Sequence, residues 1–294
     1  MNVFGEHFLK HAELFPARFA GEAWGEDAVT IDLPGGPFVV SGLTAEQRTS
    51  LLDRFEPAGN DEGAVGAGYP LQLFRAAPTD FRSIDTRGWE YELELDGAAV
   101  AGMNLMARID DDRGAIWTSV TDREAFWGVV ENVLRPLVAR RLLASGGLLV
   151  HSAAIVLDER GFLFVGPSGA GKSTIAGMAL DAGYGVLSDD LNAIAGDDLV
   201  PLPFTGELPS GARRTTPAPL HAIIALEKGS SESVRRLSPA AAAALLIRSA
   251  PYVNLDPAHG EALLTRAHEL VRSVRTAVLT FRRDSDVWPI LASL

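Results

Sequence analysis

Residues Gly166-Pro167-Ser168-Gly169-Ala170-Gly171-Lys172-Ser173 fit the pattern G-x-x-x-x-G-K-[ST] in full. Each position has a physical reason. Glycines let backbone N–H groups curl around phosphate oxygens, because no Cβ blocks the approach. The lysine reaches the outer phosphates, and the Ser173 hydroxyl can ligate Mg²⁺. Gly166, Pro167, Ser168, Gly169, Ala170, Gly171, Lys172, Ser173 and Thr174 are therefore the candidate nucleotide-binding residues, with ATP and Mg²⁺ as the expected ligands. A glycine-rich turn can match such a pattern by chance. The chain has only three lysines, Lys10, Lys172 and Lys228, and one of them falls on the motif position.

Seventeen residues beyond Lys172 stand Asp189 and Asp190. Paired aspartates are common in plain loops at strand ends. Behind a phosphate loop they have a chemical use. One carboxylate can hold Mg²⁺, and the other can accept a proton from an incoming hydroxyl.

The elements that must position these residues are legible around them. Gly161 to Val165 is a short apolar run, as a buried strand should be. Ile175, Met178 and Ala179 recur at helical spacing after the loop, so the helix N-terminus points at the phosphates. Gly183 closes that helix, and Tyr184 to Leu187 forms a brief strand that delivers the aspartates. Upstream, Leu148 to Val156 reads as a strand carrying His151. Asp158-Glu159-Arg160-Gly161 is a turn, which makes an antiparallel hairpin feeding the loop. Ordinary parallel phosphate-loop sheets do not usually show that. On its own, a strand histidine is more often a packed core residue than a site residue.

His151, the loop and the aspartate pair together resemble bacterial HPr kinase/phosphorylase, whose catalytic domain is akin to the nucleotide-binding part of phosphoenolpyruvate carboxykinase. That family has a histidine on a strand at about this distance before a GxSGxGKS loop, then an aspartate pair after a short helix and strand. The resemblance covers roughly residues 120–294. It implies that Asp189 is the general base, that Asp190 and Ser173 ligate Mg²⁺, and that His151 sits beside the metal and phosphates. Asp189, His151 and Lys172 are then the catalytic set. The segment Arg282-Arg283-Asp284-Ser285-Asp286-Val287-Trp288 also looks like the end of HPr-kinase-related proteins. The family's Glu-Ile-Arg-Gly-Leu-Gly-Ile-type segment is absent. In roughly its place stand Pro203-Phe204-Thr205-Gly206-Glu207 and then Arg213-Arg214, where Glu207 can offer an acid near the site and either arginine a phosphate clamp, a plain surface loop being the equal alternative for the pair. The missing segment puts HPr as substrate, and phosphorolysis, in doubt.

The first 120 residues carry no such chemistry. His7 and His11, four apart, lack further ligands and read as surface histidines. Pro37 to Val40 is a strand. Thr44-Ala45-Glu46-Gln47 is a capping box opening a short helix with Leu51, Leu52 and Phe55 on its apolar face. Residues 57–68 read as a mobile loop. Trp89 to Asp96 alternates as a half-exposed strand, with Glu90, Glu92 and Glu94 along its solvated side. Ala98 to Arg108 and Ala115 to Val120 read as strands joined by a turn at Asp110 to Gly114, whose aspartates lack EF-hand spacing. Thr121-Asp122-Arg123-Glu124 is a second capping box, starting a helix through Phe126, Val129, Val130, Val133, Leu134, Leu137 and Val138 that Pro136 should kink and Gly146-Gly147 stop.

The reading is an α/β (α+β mixed) protein: a β-rich domain over residues 1–120, then a mixed-sheet phosphate-loop kinase domain of HPr kinase/phosphoenolpyruvate carboxykinase-like type over 121–294. Its expected activity is ATP-dependent phosphorylation of a hydroxyl, serine of a protein or peptide. The alternatives are a generic phosphate-loop ATPase or a non-catalytic nucleotide- or partner-binding module. In the ATPase case a later strand should end in an Asp or Asp-Glu with a sensing residue beyond, yet Ile223 to Leu226 leads only to Glu227-Lys228. Strands at Leu220–Leu226 and around Leu279, and helices at 239–248, 256–275 and 287–294, complete the outline. The chain has 294 residues, 47% of them apolar, no cysteine and a formal net charge of −12. That charge argues against a nucleic-acid partner. The absence of cysteine removes disulfides and thiolate metal sites. No apolar run is long enough to span a membrane. Glu6 and Glu13 near the start do not suit a signal peptide. A soluble cytoplasmic protein is the expectation, with homo-oligomerisation left open.

Overall fold

A computed structural model describes residues 5–10, 21–55, 68–85 and 92–294. His11, the predicted loop at 57–67, and Trp89, Glu90 and Tyr91 lie outside the described residues. The chain divides into two compact units, 1–138 and 139–294.

The first unit holds β1 (Asp27–Ile31), β2 (Phe38–Leu43), α1 (Ala45–Phe55), β3 (Tyr69–Arg75), β4 (Leu93–Asp96), β5 (Ala99–Gly102), β6 (Leu105–Ile109), β7 (Gly114–Thr118) and most of α2 (Arg123–Ala144). Its seven strands form one mixed sheet in the order β1-β2-β3-β7-β6-β5-β4. The β2–β3 and β3–β7 pairs are parallel, and the other pairs are antiparallel. The first capping box forms as read: Gln47 N–H donates to Thr44 Oγ1 at 3.2 Å, and Thr44 N–H donates to Gln47 Oε1 at 2.9 Å. The predicted strand Ala98–Arg108 is instead two strands, β5 and β6, because Asn104 adopts a positive φ of 54° and turns the chain back. The second cap also shifts by one residue. Asp122, not Thr121, accepts the N–H of Ala125 at 2.9 Å. Residues 5–10 form a turn around Gly5; His7 is exposed, while Phe8 and Leu9 pack with Phe74, Phe81 and Trp117.

Helix α2 continues through Pro136 and ends where Gly146 takes a positive φ of 79°. From Val129 to Ala139 every side chain is buried, so polar residues there need partners. Glu131 meets Arg54 and Arg135, both at 2.7 Å.

The second unit adds β8 (Leu148–Leu157), β9 (Arg160–Val165), α3 (Lys172–Asp181), β10 (Gly185–Ser188), β11 (Leu191–Ala195), β12 (Asp198–Val200), β13 (Ala218–Lys228), β14 (Ser233–Arg236), α4 (Pro239–Arg248), α5 (Gly260–Ser273), β15 (Arg275–Phe281) and α6 (Trp288–Ala292). The hairpin is as read: β8 and β9 are antiparallel, with Asp158 and Glu159 both at positive φ in the two-residue turn that such a hairpin favours. β9 then pairs in parallel with β13, and β13 in parallel with β15. β14 closes that edge antiparallel. Two buried faces explain the continuous apolar run of β9. Phe162 and Phe164 join Ile155, Ile224, Leu279, Phe281, Ile175 and Ala179 in one core that seats α3. Burying each such phenylalanine contributes about 1.5–3 kcal/mol. β11, β12 and β14 went unread in the sequence.

Among the described residues no helix is long and apolar enough to cross a membrane.

Candidate functional site

Strands β10 and β11 follow one another along a single edge of β8. Ser188 faces Ala154, and Leu191 faces His151. Asp189 and Asp190 occupy the interval between the two strands. The register therefore brings the aspartate pair beside His151, and His151 Nε2 lies 3.8 Å from Asp190 Oδ1.

The backbone of the pair is fastened down. Ser152 N–H donates to Asp190 O at 2.8 Å, and Asp190 N–H donates to Ser188 Oγ at 3.1 Å. Asn192, fully buried, donates its amide to Ser152 O at 2.8 Å and Ser152 Oγ at 3.1 Å. The sequence reading missed Asn192. Its signal was a lone amide within the apolar run Leu191-Asn192-Ala193-Ile194, which must find acceptors once buried.

The two aspartates differ in setting. Asp189 is buried, its Oδ1 accepting Leu208 N–H at 3.3 Å, while Oδ2 is buried with no hydrogen-bond partner. Asp190 is half-buried and close enough to the imidazole and the lysine for its charge to act on both.

The glycine-rich loop joins β9 to α3. Gly169 and Gly171 hold φ of 75° and 110°, the region that glycine alone enters freely. A Cβ on Gly171 would also lie 2.9 Å from the Phe281 ring. Lys172, a buried residue, folds back so that Nζ donates to Gly166 O at 3.2 Å and Pro167 O at 3.4 Å. The first amides of α3 have no acceptor within the helix. The loop thus offers backbone N–H groups and one ammonium to an anion, a chemical fit for phosphate. Ser173 is half-buried and Thr174 exposed in the first turn of α3, and Pro167, Ser168 and Gly169 are exposed at the loop tip.

The charges of the cluster act on one another. Burial, then the nearby Lys172 charge, lowers the His151 pKa, and Asp190 and Asp189 oppose the shift. The net direction favours the neutral imidazole. Burial lowers the Lys172 pKa as well, against Asp190 and Glu207. Glu207 is exposed, yet close enough for Lys172 to feel it, as the sequence reading of an acid near the site suggested.

The two arginines bond to protein acceptors. Arg213 donates to Phe204 O at 2.6 Å and to Leu208 O at 2.8 Å. Arg214 pairs with Glu159 at 2.8 Å, in the β8–β9 turn, and donates to Thr216 O. Both guanidinium groups serve protein acceptors here, Arg213 as a loop brace and Arg214 in a surface ion pair, which agrees with the surface-loop alternative.

Fold and site define a mixed α/β protein with two mixed sheets, in which a glycine-rich loop between strand and helix belongs to the same unit as a histidine–aspartate cluster. The chain belongs to the family described as SynChlorMet cassette protein ScmC, which it matches over residues 117–282. That span contains every site residue from His151 to Arg214. No curated protein matches the chain.

Proposed function

We propose that the protein is an ATP-dependent kinase that phosphorylates a hydroxyl, serine of a protein or peptide, in the manner of the HPr kinase/phosphorylase group that its second unit resembles. One observation carries the reading. A glycine-rich loop with its lysine, a half-exposed histidine and two inequivalent carboxylates belong to one electrostatically coupled cluster.

Bound Mg·ATP would supply the transferable phosphoryl group. The loop from Gly166 to Thr174 would hold its phosphates through backbone N–H groups, Pro167 having none to give, and Lys172 would exchange its two loop carbonyls for phosphate oxygens. Ser173 and Asp190 are the residues that would hold Mg²⁺, which would supply charge neutralisation at the phosphates. Among the described residues no three acidic or imidazole side chains form a metal group, so the protein alone would not enclose the ion. Asp189 acts as general base. Leu208 N–H holds its Oδ1, and Oδ2, buried and without a partner, takes the proton of the incoming hydroxyl. His151, kept neutral, orients Asp190 without adding a competing positive charge.

The two carboxylates should separate by role. Asp189→Asn keeps Mg·ATP binding and loses about 10²–10⁴ in transfer rate. Asp190→Asn raises the Mg²⁺ requirement and weakens nucleotide binding along with turnover. Titrating Mg²⁺ against turnover for both variants decides it. Interchanged defects would swap the roles, and normal transfer in both would dispose of the mechanism.

A further inference from the structure

Between β12 and β13 the chain runs through Phe204-Thr205-Gly206-Glu207-Leu208 before reaching Arg213. This segment has little regular structure, yet it comes up to the carboxylate pair. A Cβ built on Gly206 would lie 2.7 Å from Asp189 Oδ1, 3.1 Å from Arg213 Nη2 and 3.3 Å from Asp190 Cβ. Three side chains that matter thus meet at one glycine backbone.

The segment is held from within. Arg213 directs Nη1 to Phe204 O at 2.6 Å and Nη2 to Leu208 O at 2.8 Å, so one planar fork ties both ends of a five-residue bow. Its far end supplies the Leu208 N–H that donates to Asp189 Oδ1 at 3.3 Å. Phe204, buried, anchors the other end. A guanidinium suits this task because its donors diverge in a fixed plane, whereas an ammonium is a single point.

We propose that Arg213 is a positioning residue: by bracing the 204–208 bow it sets the Leu208 N–H that orients Asp189, leaving Oδ2 to serve the acceptor. The inference rests on the reading of Asp189 as general base. It makes the bow the acceptor-side wall of the site and gives Gly206 a steric role, since any side chain there displaces the Asp189 carboxyl. The brace acts on Asp189 and not on the glycine-rich loop, so it should alter turnover while sparing nucleotide affinity.

The test uses the full chain with Arg213→Met, Arg213→Lys and Gly206→Ala. Amide hydrogen exchange at Leu208 is read without nucleotide, and Mg·ATP affinity and hydrolysis to water are read separately. In Arg213→Met the Leu208 amide should exchange about tenfold faster, as expected for losing a charge-assisted hydrogen bond, with α3 amides unchanged. Turnover should fall about 10- to 100-fold at a Kd within about threefold of wild type. Arg213→Lys should recover part of both effects. Gly206→Ala should lower turnover by crowding Asp189 Oδ1, and because its Cβ also comes within 3.1 Å of Arg213 Nη2, Leu208 exchange in that variant reads the brace separately, which keeps the question open to test even where Arg213→Met folds poorly. Unchanged Leu208 exchange in folded Arg213→Met overturns the brace. An equal loss of Mg·ATP affinity and turnover makes Arg213 a phosphate ligand instead and overturns it too. If wild-type protein neither binds nor turns over Mg·ATP, the kinase reading fails, while Leu208 exchange still decides the brace.

Discussion

The glycine-rich loop and the 204–208 bow both come up to Asp189 and Asp190, and they are held by opposite means. The loop's shape is written in its backbone: Gly169 and Gly171 occupy positive φ, and α3 follows at once. The bow's shape is written in one side chain reaching across it, the Arg213 fork. A backbone-coded site shows in sequence because only glycine tolerates the conformation. A site held by one long side chain shows only when the acceptors it reaches are known.

That contrast orders the expected effects. Lys172→Ala removes the one ammonium the loop carries and should weaken Mg·ATP binding by about a hundredfold or more, since hydrogen bonds to charged groups contribute most. Calorimetry showing wild-type affinity would dispose of the loop as a nucleotide site. Gly171→Ala should be smaller in effect and act on folding. A φ of 110° and a Cβ 2.9 Å from the Phe281 ring should together cost about 1–3 kcal/mol, read as a fall in denaturant midpoint. At Gly206 the constraint is the contact with Asp189 Oδ1, so Gly206→Ala should change turnover more than stability. If the two alanine variants behave alike, the distinction between backbone and contact coding fails.

The smallest effect lies away from the site. His221 stacks edge-on against Phe162 and faces Arg160. Burial, then Arg160 and Arg275, lowers its pKa, with a hydrogen bond to the Leu294 backbone opposing. The folded state thus resists a proton that the unfolded chain takes up near pH 6.5. As pH falls through that value the unfolded state binds more protons, and stability declines. His151 has the same sign. His221→Gln should make the decline in thermal midpoint between pH 8 and pH 5.5 shallower by about 1–2 °C. Identical slopes would show that His221 contributes nothing.

How much was legible follows from the same physics. The strand–loop–helix at β9 and α3, the β8–β9 hairpin and α4 carry strong local signals: an apolar run, paired turn residues, and an alanine-rich stretch capped by Ser238. Helix α5 begins later than read, because Asp256 caps a separate short turn at Pro257–His259. The nearness of His151 to Asp190 depends on β10 and β11 sharing one edge of β8, a register set over a span that no local pattern encodes. The role of Arg213 stayed open for the same reason. Its type fits phosphate or carbonyl equally, and only the fold decides which it meets.

The central claim is phosphoryl transfer to a hydroxyl at Asp189. Its most direct test incubates full-length protein with γ-labelled ATP, Mg²⁺ and a lysate of the source cells, beside Asp189→Asn and Lys172→Ala. The products are then separated into acid-stable hydroxyl phosphoesters and free phosphate. The account predicts acid-stable label on serine of specific proteins or peptides with wild type, and its loss in both variants, with ATP still bound by Asp189→Asn. Label released only as inorganic phosphate, at rates Asp189→Asn leaves unchanged, would contradict it.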